Sequence, residues 1–285
     1  KALAAAIFGD ATAVEFTGTT AAERFTVLAN GEVDVLFRTT TWTQERDIRV
    51  GGDFGPTTFF DGQQLMGTTA FGFTADSTLA DIAGARVCTN TGTTTEQNIT
   101  EGARALGIEI QLVTVETVTD ALDLMEQGSC DIGTSDGSAL FGERASRVAN
   151  GTVGEGDWVI FPATPISKEP LGPMYRQNDS EWADVVNWLV YALLIADEKG
   201  VNSGNVDDAM ANPSDGEVAR LLGVDEGEHQ TSMGLDAEAF ANAIRAIGNY
   251  DEIYTRSLVP LGFVRAGSAN ALWTDGGLQY APPAR

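Results

Sequence analysis

The sequence has 285 residues, 43% of them hydrophobic, which suffices for one large domain or two lobes of ordinary size. Its 41 acidic and 17 basic residues give a formal net charge of −24, which disfavours nucleic acids and anionic membranes as partners. No apolar run approaches the roughly 20 residues of a membrane span, and no basic-then-apolar leader precedes Lys1. We therefore expect a soluble chain whose export signal is not part of this sequence.

The basic residues are biased towards arginine. Lysine occurs only at Lys1, Lys168 and Lys199, so 17 minus 3 leaves 14 arginines. Such a lysine-poor, acid-rich surface is compatible with adaptation to salt and equally with an ordinary solvated acidic face. Composition leaves both interpretations open.

Strand and helix patterns alternate along the chain, which predicts parallel sheets with crossover helices. The first part of the chain predicts a strand, a helix closed by glycine, a second strand and an extended region, at 11–19, 20–31, 32–38 and 54–67. The middle part predicts strands at 85–90, 108–115, 129–136 and 157–162, with helices at 93–107, 117–128 and 138–150. The C-terminal part is mainly helical, with apolar residues at helical spacing over 180–200 and 236–258.

Residues 74–165 thus form a complete β/α module inserted between two stretches of other material. We predict two α/β lobes, each a mostly parallel sheet flanked by helices, with the first lobe at 1–66, the inserted lobe at 67–167 and the return to the first lobe at 168–285. Two short extended crossovers between lobes are typical of a hinge. We place that hinge at Leu65, Met66, Ser167 and Lys168.

Cys88 and Cys130 each stand at the edge of a short strand pattern. Two parallel strands separated by one helix would bring them side by side, and a disulfide there would indicate an oxidising compartment. Two buried reduced thiols are the alternative, and the spacing alone leaves both open. His229, the only histidine, lies in the polar segment DEGEHQTS, and we expect it at the surface without a catalytic role.

Three loops at the ends of predicted strands contain the residue types that bind charged ligands. The first contains Thr39, Thr41, Trp42 and Arg46, where hydroxyls accompany a guanidinium whose donors match a carboxylate. Taken alone, Arg46 pairs more commonly with a neighbouring acid on the surface, and a tryptophan beside a strand more often belongs to a core.

The second loop, CTNTGTTTEQN, opens a predicted helix. Thr93 and Glu96 fit a capping box, and Thr94 follows at a helix start, where unpaired N–H groups favour an anion. We predict that Thr93 caps the helix while Thr94 and its neighbouring amides face a ligand.

The third loop ends a strand at Asp136, the edge at which open α/β sheets bind ligands. Together, the three loops offer an arginine and a helix N-terminus that suit a carboxylate, and an aspartate that suits an ammonium group. An α-amino acid carries both of these groups on its Cα atom. The sequence has no metal-ligand spacing and no P-loop, so we expect no cofactor and no metal.

A known family shares many of these segments. The runs GEVDVLFRTTTWTQERD, FFDGQQLM, VCTNTGTTTEQN, CDIGTSD, ISKEPLGPMYRQND, VVNWLVYALLIAD, GNYDEIYTR and ALWTDGGLQYAPPAR extend over nearly the whole chain. By these runs the chain resembles the amino-acid-binding proteins of polar amino acid ABC transporters, most closely the general L-amino-acid-binding branch of bacterial solute-binding protein family 3. ISKEPLGP and GGLQYAPP are specific to that branch.

The resemblance implies a hinged type II periplasmic-binding-protein fold whose lobes close on the ligand. It implies that Arg46 binds the α-carboxylate with help from Thr39, Thr41 and Thr94, that Asp136 binds the α-ammonium group, and that Cys88 and Cys130 form a disulfide. Family members also carry a first strand and loop ahead of KALAAAIFGDA, which this sequence does not contain, so the first lobe is expected to lack that strand. Phe37 and Thr39 replace the family's serine and asparagine, which points to a shifted side-chain preference.

The expected function follows from the resemblance. We expect a monomeric periplasmic protein of a Gram-negative bacterium that captures L-amino acids of broad type and delivers them to an ABC transporter permease. Two alternatives remain: an enzyme on the same fold, such as a cyclohexadienyl dehydratase relative, and an extracellular sensory domain. The enzyme would need an acidic side chain positioned next to the hydroxyl group that leaves the substrate. The sensory domain would be flanked by membrane-spanning segments.

Overall fold

A computed structural model describes residues 1–225 and 228–285, and these form two compact units. Unit 1 consists of Lys1–Thr17, Asp53–Thr58 and Pro173–Arg285, and unit 2 consists of Gly18–Gly52 and Phe59–Gly172. The units differ from the predicted lobe boundaries, because residues 18–52 and 59–66 belong with the inserted module. Main-chain pairing explains this grouping, since Thr41 forms a β-bridge with Leu171.

The structure contains short strands and helices in alternation. The strands are β1 Gly52–Phe54, β2 Phe59–Asp61, β3 Gln63–Thr68, β4 Arg86–Asn90, β5 Gln111–Val115, β6 Ile132–Asp136, β7 Trp158–Phe161, β8 Glu169–Leu171 and β9 Met174–Arg176. The helices are α1 Ala2–Phe8, α2 Arg24–Ala29, α3 Gln44–Arg49, α4 Thr94–Leu106, α5 Val118–Glu126, α6 Gly137–Asn150, α7 Ser180–Glu198, α8 Val206–Ala211, α9 Gly216–Leu221, α10 Glu228–Ser232, α11 Ala239–Ile247 and α12 Tyr250–Ser257.

Unit 2 is built on a five-stranded sheet in the order β5-β4-β6-β3-β7. β4 pairs parallel with β5 and β6, whereas β3 runs antiparallel between β6 and β7. Helices α4, α5 and α6 connect the parallel strands, as the alternating pattern predicts. A separate antiparallel pair, β2 with β8, brings Asp61 opposite Glu169.

The structure places the predicted hinge residues Leu65 and Met66 within a strand, and their role as a hinge stays a prediction. Both residues lie inside β3, are fully buried, and are paired on both sides of the strand. Because neighbouring side chains of a strand face opposite sides of a sheet, Leu65 and Met66 enter the two different hydrophobic clusters of the unit. Ser167 and Lys168 also lie within unit 2, ahead of the passage into unit 1 at Gly172–Pro173.

The predicted strands at 11–19 and 32–38 do not form. Val14, Phe16 and Phe37 are 37%, 74% and 53% exposed, and of the larger apolar side chains in these two segments only Leu36, at 6%, is buried. A strand depends on a paired neighbour and a covered face, and sequence alternation alone supplies neither. By contrast the strands and helices predicted for the middle of the chain all form, with shifts of a few residues at their ends.

Unit 1 is mainly helical and contains the two-stranded pair β1 with β9. The predicted helix at 236–258 is divided into α11 and α12, because Gly248 adopts a positive φ of 92° and Asn249 begins a new capping box with Glu252. A side chain on Gly248 would contact Glu252 at 2.7 Å. Among the described residues, no helix combines the length and the apolar character that a membrane crossing requires.

His229 lies on α10 and is exposed, so the expectation of a surface position is confirmed. The predicted polar segment around it is helical from Glu228 to Ser232, while Glu226 and Gly227 of that segment lie outside the described residues.

The two cysteines form the disulfide Cys88–Cys130, with their Cα atoms 6.0 Å apart. Cys88 lies in β4, and Cys130 precedes the neighbouring parallel strand β6 by two residues. The pairing therefore follows from the parallel order of these strands, and the alternative of two reduced thiols is excluded.

Candidate functional site

Arg46 reaches the candidate site from the short helix α3. Thr43 caps this helix, since its hydroxyl accepts the Arg46 backbone N–H at 3.2 Å. The Arg46 residue is 8% exposed, and its Nη1 donates to the carbonyl oxygen of Thr41 at 3.0 Å. Cap and carbonyl together fix the start of the helix and the direction of the guanidinium.

A second buried arginine accompanies it. Arg24 on α2 is 2% exposed and donates from Nη1 to the Thr39 carbonyl oxygen at 2.9 Å. Its Nε is buried without a hydrogen-bond partner among the described residues. Both guanidiniums lie over the ring of Phe25, at 4.8 Å for Arg24 and 5.4 Å for Arg46. The arginines are therefore held by carbonyl oxygens and an aromatic face, and neither of these neutralises their charge.

Arg38 is a third, partly buried arginine, whose Nη1 donates to the Thr19 carbonyl oxygen at 2.7 Å. Burial lowers the pKa of Arg38, and the negative charge of Asp136 opposes that lowering. Burial and the neighbouring charges of Arg46 and Arg38 lower the pKa of Arg24 to about 9, so it stays cationic at neutral pH. Burial likewise lowers the pKa of Arg46, against the opposing charges of Glu169 and Asp136. The three arginines concentrate positive charge in one region of unit 2.

Asp136 lies where β6 ends and α6 begins. It is 7% exposed, and its Oδ1 is buried without a hydrogen-bond partner within residues 1–225 and 228–285. Burial, together with the charges of Asp61 and Glu169, raises the pKa of Asp136 to about 8, while Arg24 and Arg46 act in the opposite direction. Burying a carboxylate without a partner costs folding free energy. The Oδ1 atom of Asp136 is therefore suited to accept a hydrogen bond from a cationic group of a ligand.

Asp61 supports the same region from the end of β2. Its carboxylate accepts from the Gly62 backbone N–H at 2.8 Å and from the Ser138 hydroxyl at 2.5 Å. Burial raises the pKa of Asp61, those hydrogen bonds oppose the rise, and the charge of Glu169 adds to it. Next to Asp136, Gly137 leaves room for this arrangement, because a Cβ there would lie 2.5 Å from the side-chain oxygen of Gln64.

Glu169 is the third carboxylate of the region and is only 1% exposed. Four neutral side chains donate to it: the hydroxyls of Thr41, Thr94 and Ser167 and the amide of Asn98. These donors come from the loop before α3, from the first turns of α4 and from the segment before β8. Glu169 therefore joins the separate segments that carry the predicted site residues.

The start of α4 confirms the predicted cap. The Thr93 hydroxyl accepts the Glu96 backbone N–H at 3.1 Å and donates to the Asn90 carbonyl oxygen at 2.7 Å. The reciprocal half of the box differs from prediction, because the Glu96 carboxylate accepts from the Gly92 backbone N–H at 2.8 Å. Glycine at this position lets the loop turn with a φ of 70°.

The sequence-predicted residues separate into two groups. Arg46, Thr41, Thr94 and Asp136 come together, since Glu169 binds both threonines and its charge acts on Arg46 and Asp136. Three others contribute differently: the Thr39 side chain is exposed and only its carbonyl is used, Thr93 is a helix cap, and Trp42 is 44% exposed. All of these residues lie in unit 2, whereas the sequence prediction divides them between two lobes.

Sequence reasoning missed four charged residues of the site. Arg24, Arg38, Asp61 and Glu169 lie in segments interpreted as a helix, a strand, an extended region and a connection. The available signal was a charged residue beside buried apolar neighbours, as at Glu169 in SKEPL and Asp61 in FFDG. Such charges are expected to be paired or functional, because an isolated buried charge is costly.

Comparison with known proteins relates this geometry to a family. No protein-family model matches the chain. The general L-amino acid-binding periplasmic protein AapJ of Rhizobium johnstonii is 41% identical over 289 residues, covering 100% of this chain and 81% of that protein. The glutamate/glutamine/aspartate/asparagine-binding protein BztA of Rhodobacter capsulatus is 39% identical over 288 residues, covering 100% of this chain and 82% of its own length.

A solved structure is also similar to this chain over its whole length. An ABC transporter periplasmic binding protein from Brucella ovis with glutathione bound superposes with a TM-score of 0.92 at 41% identity, covering 100% of this chain and 87% of that one. The chain therefore has the type II periplasmic-binding-protein fold that its sequence predicts. It belongs to the family of amino-acid-binding periplasmic components of ABC transporters. The relatives are named as binding proteins of transporters and not as enzymes.

Proposed function

We propose that this protein binds L-amino acids in the periplasm of a Gram-negative bacterium and delivers them, as a monomer, to the membrane permease of an ABC transporter. Hinged movement of its lobes, export by a signal peptide and a broad ligand range belong to the same proposal. Binding without turnover is supported by the names of the relatives, which are components of transporters.

One observation carries the proposal: buried charges of both signs act on one another inside unit 2. The charge of Asp136 opposes the lowering of the Arg46 pKa, and Arg46 in turn opposes the rise of the Asp136 pKa. Asp136 keeps an unpartnered acceptor, within the described part of the chain, and Arg46 is not paired with that acceptor. An α-amino acid fits such a site, because its carboxylate satisfies the guanidinium and its ammonium group satisfies Asp136.

The surplus of arginines supports a ligand with more than one carboxylate. One zwitterion needs one arginine, whereas Arg24 and Arg38 add two further cations, and Arg24 keeps a buried donor without a described partner. The name of BztA includes glutamate and aspartate, and glutathione, bound by the Brucella protein, also carries two carboxylates and one ammonium group. We therefore propose that acidic amino acids bind more tightly than neutral ones.

The direct test is a thermal-shift screen against the twenty amino acids and glutathione, followed by calorimetry of each hit. A ligand at 100 times its Kd stabilises the folded protein by about 2.7 kcal/mol, which a melting curve resolves. Arg46→Gln should weaken binding by about 2 kcal/mol or more, because it leaves a ligand carboxylate without its charged partner. Arg49→Gln is the matched control, since Arg49 lies on the same helix but is exposed and paired with Glu45.

Two outcomes contradict the proposal. Binding of no amino acid by the wild-type protein removes the ligand class, and equal affinities of Arg46→Gln and Arg49→Gln remove the assigned role of Arg46. Asp136→Asn adds a second test: it should weaken L-glutamate more than glutarate, which has the same carbon chain without the amino group.

A further inference from the structure

The C-terminal part of unit 1 buries one polar side chain between two exposed ones. Gln279 is 1% exposed, whereas its neighbours Leu278 and Tyr280 are both 60% exposed. Burying a side-chain amide costs free energy unless it finds hydrogen-bond partners. The fold of this segment is therefore best explained by what the amide of Gln279 binds.

The backbone around Gln279 closes into a loop, residues 271–279, which we call the C-terminal loop. The Trp273 N–H donates to the Gln279 carbonyl oxygen at 2.9 Å, and the Gln279 N–H donates to the Ala271 carbonyl oxygen at 3.1 Å. Gly277 makes this closure possible, because a Cβ there would lie 1.9 Å from the Ala271 carbonyl oxygen. The loop therefore fixes the position from which the Gln279 side chain enters the unit.

Two hydrogen bonds continue from the Gln279 amide to a distant backbone carbonyl. Its Nε2 donates to the Tyr250 hydroxyl at 3.0 Å, and that hydroxyl donates to the Thr58 carbonyl oxygen at 2.8 Å. Burial raises the pKa of Tyr250, so the phenol keeps its proton at neutral pH. A phenol has a single proton, and here it points to Thr58. The C-terminal loop is thus linked to Thr58 through one buried side chain.

Thr58 stands where the chain leaves unit 1. The chain passes between the two units at Thr58–Phe59 and again at Gly172–Pro173. Within unit 1 the two connections are held together, since β1 pairs with β9 and the Gly55 N–H donates to the Pro173 carbonyl oxygen at 2.9 Å. Tyr250 adds a contact at the final residue of the first connection. A segment far along the chain therefore reaches the point at which the backbone crosses into unit 2.

We propose that Gln279 and Tyr250 are positioning residues for ligand capture, which fix the first connection between the units through the Thr58 carbonyl. This inference rests on the proposed function, of which hinged movement is a part. A fixed connection limits the open conformations that the free protein samples, so closing on a ligand loses less conformational entropy. The two residues act through the backbone, and neither is assigned a contact with the ligand.

Tyr250→Phe tests the proposal most directly. It removes the hydroxyl and both of its hydrogen bonds but keeps the ring, which lies 4.7 Å from the Arg265 guanidinium carbon. We expect the association rate constant of L-glutamate, measured by stopped-flow tryptophan fluorescence, to fall on the order of 5-fold, the size of one neutral hydrogen bond. The dissociation rate should stay near the wild-type value. Tyr280→Phe is the matched control, because it removes an exposed hydroxyl next to Gln279.

Gln279→Leu tests whether the C-terminal loop acts through Tyr250. This variant loses the amide while the Tyr250 hydroxyl can still donate to Thr58, so association should slow in the same direction by a smaller factor. The double variant Tyr250→Phe/Gln279→Leu should associate no more slowly than Tyr250→Phe alone, because both changes interrupt one path. A purely structural role would lower the melting temperature of the free proteins and leave the association rates unchanged.

Two results overturn the inference and leave the proposed function standing. One is a Tyr250→Phe protein that associates with glutamate at the wild-type rate, and the other is equal slowing in Tyr250→Phe and Tyr280→Phe. Absence of amino acid binding by the wild-type protein overturns the proposed function, and this inference with it. If Tyr250→Phe does not fold, as judged by circular dichroism and melting, the comparison of Gln279→Leu with Tyr280→Phe decides alone.

Discussion

Arg24 and Arg46 share one aromatic ring, since their guanidinium carbons lie 4.8 Å and 5.4 Å from the centroid of Phe25. The two cations repel each other, and the charge of Arg46 is the second cause, after burial, of the lowered Arg24 pKa. The electron-rich face of the ring offsets part of that repulsion without neutralising either charge. Phe25 thus lets two arginines with free charge remain together inside unit 2.

The first prediction follows from this relationship. Phe25→Leu removes the ring while keeping an apolar side chain, so the two guanidiniums should lose their common support. Cation–π interactions contribute about 1 to 2 kcal/mol when desolvated, so amino acid affinity should fall by roughly 5- to 30-fold in calorimetry. Phe25→Tyr keeps the aromatic face and should bind nearly as the wild type does. A Leu variant with unchanged affinity would show that the carbonyl oxygens alone hold the arginines.

The second prediction concerns selectivity. Arg24→Gln removes a cation that one α-amino acid head does not require, so L-glutamate should lose more affinity than L-glutamine. A hydrogen bond to a charged group contributes about 1.5 to 3 kcal/mol, and the glutamate-to-glutamine affinity ratio should fall by at least about 10-fold. Arg104→Gln changes net charge equally at an exposed position of α4 and serves as the control. A ratio that falls equally in both variants would reflect overall charge rather than a contact by Arg24.

The third prediction concerns pH and stability. The pKa of Asp136 is about 8 in the folded protein and close to 4 in an unfolded chain, so between these values the folded state holds a proton that the unfolded state has released. Stability must therefore fall as pH rises from about 4 towards 8, by at most roughly 1.4 kcal/mol per pH unit for this group. Asp136→Asn should flatten that slope and exceed the wild type in stability at pH 8.

Denaturant unfolding at pH 5, 6.5 and 8 measures this difference. A smaller slope should persist in Asp136→Asn, because burial also raises the pKa of Asp61. Asp76→Asn, at an exposed position of the same unit, should follow the wild-type curve. Parallel curves for the wild type and Asp136→Asn would mean that Asp136 is ionised in the folded protein throughout this range.

The fourth prediction concerns the disulfide. The bond joins residues 42 apart in sequence, and closing a loop of that size stabilises a protein by about 4 kcal/mol in the chain-entropy model. The double variant Cys88→Ala/Cys130→Ala should lose stability of that order in urea unfolding. Its amino acid affinity should remain near the wild-type value at low temperature, because neither cysteine carries a proposed ligand contact. A stable double variant that had lost binding would instead mean that the disulfide positions Asp136 through β6.

The sequence predicted the inserted module of unit 2 well and the flanking segments poorly. Between 85 and 162 the period-2 and helical patterns, the threonine caps and the closing glycines all favour the same elements. Residues 11–19 and 32–38 alternate in the same way and yet form no strand in the described structure, where Leu36 alone of these residues makes a β-bridge. The connection at Leu65 and Met66 looked extended from the sequence, and only its neighbours β6 and β7 make it the interior of a sheet.

The sequence by itself determined the class of the protein and the residues that we propose as its main ligand-binding groups. Arg46, Asp136 and the threonine loop follow predictable strands and caps, and their local pattern is sufficient to identify them. The tertiary structure decided which charges surround them, because Arg24, Asp61 and Glu169 come from other segments of the chain and only folding buries their charges near Arg46 and Asp136. Burial and hydrogen-bond direction are properties of the assembled unit, so the direction in which each threonine proton points is decided only once the chain has folded.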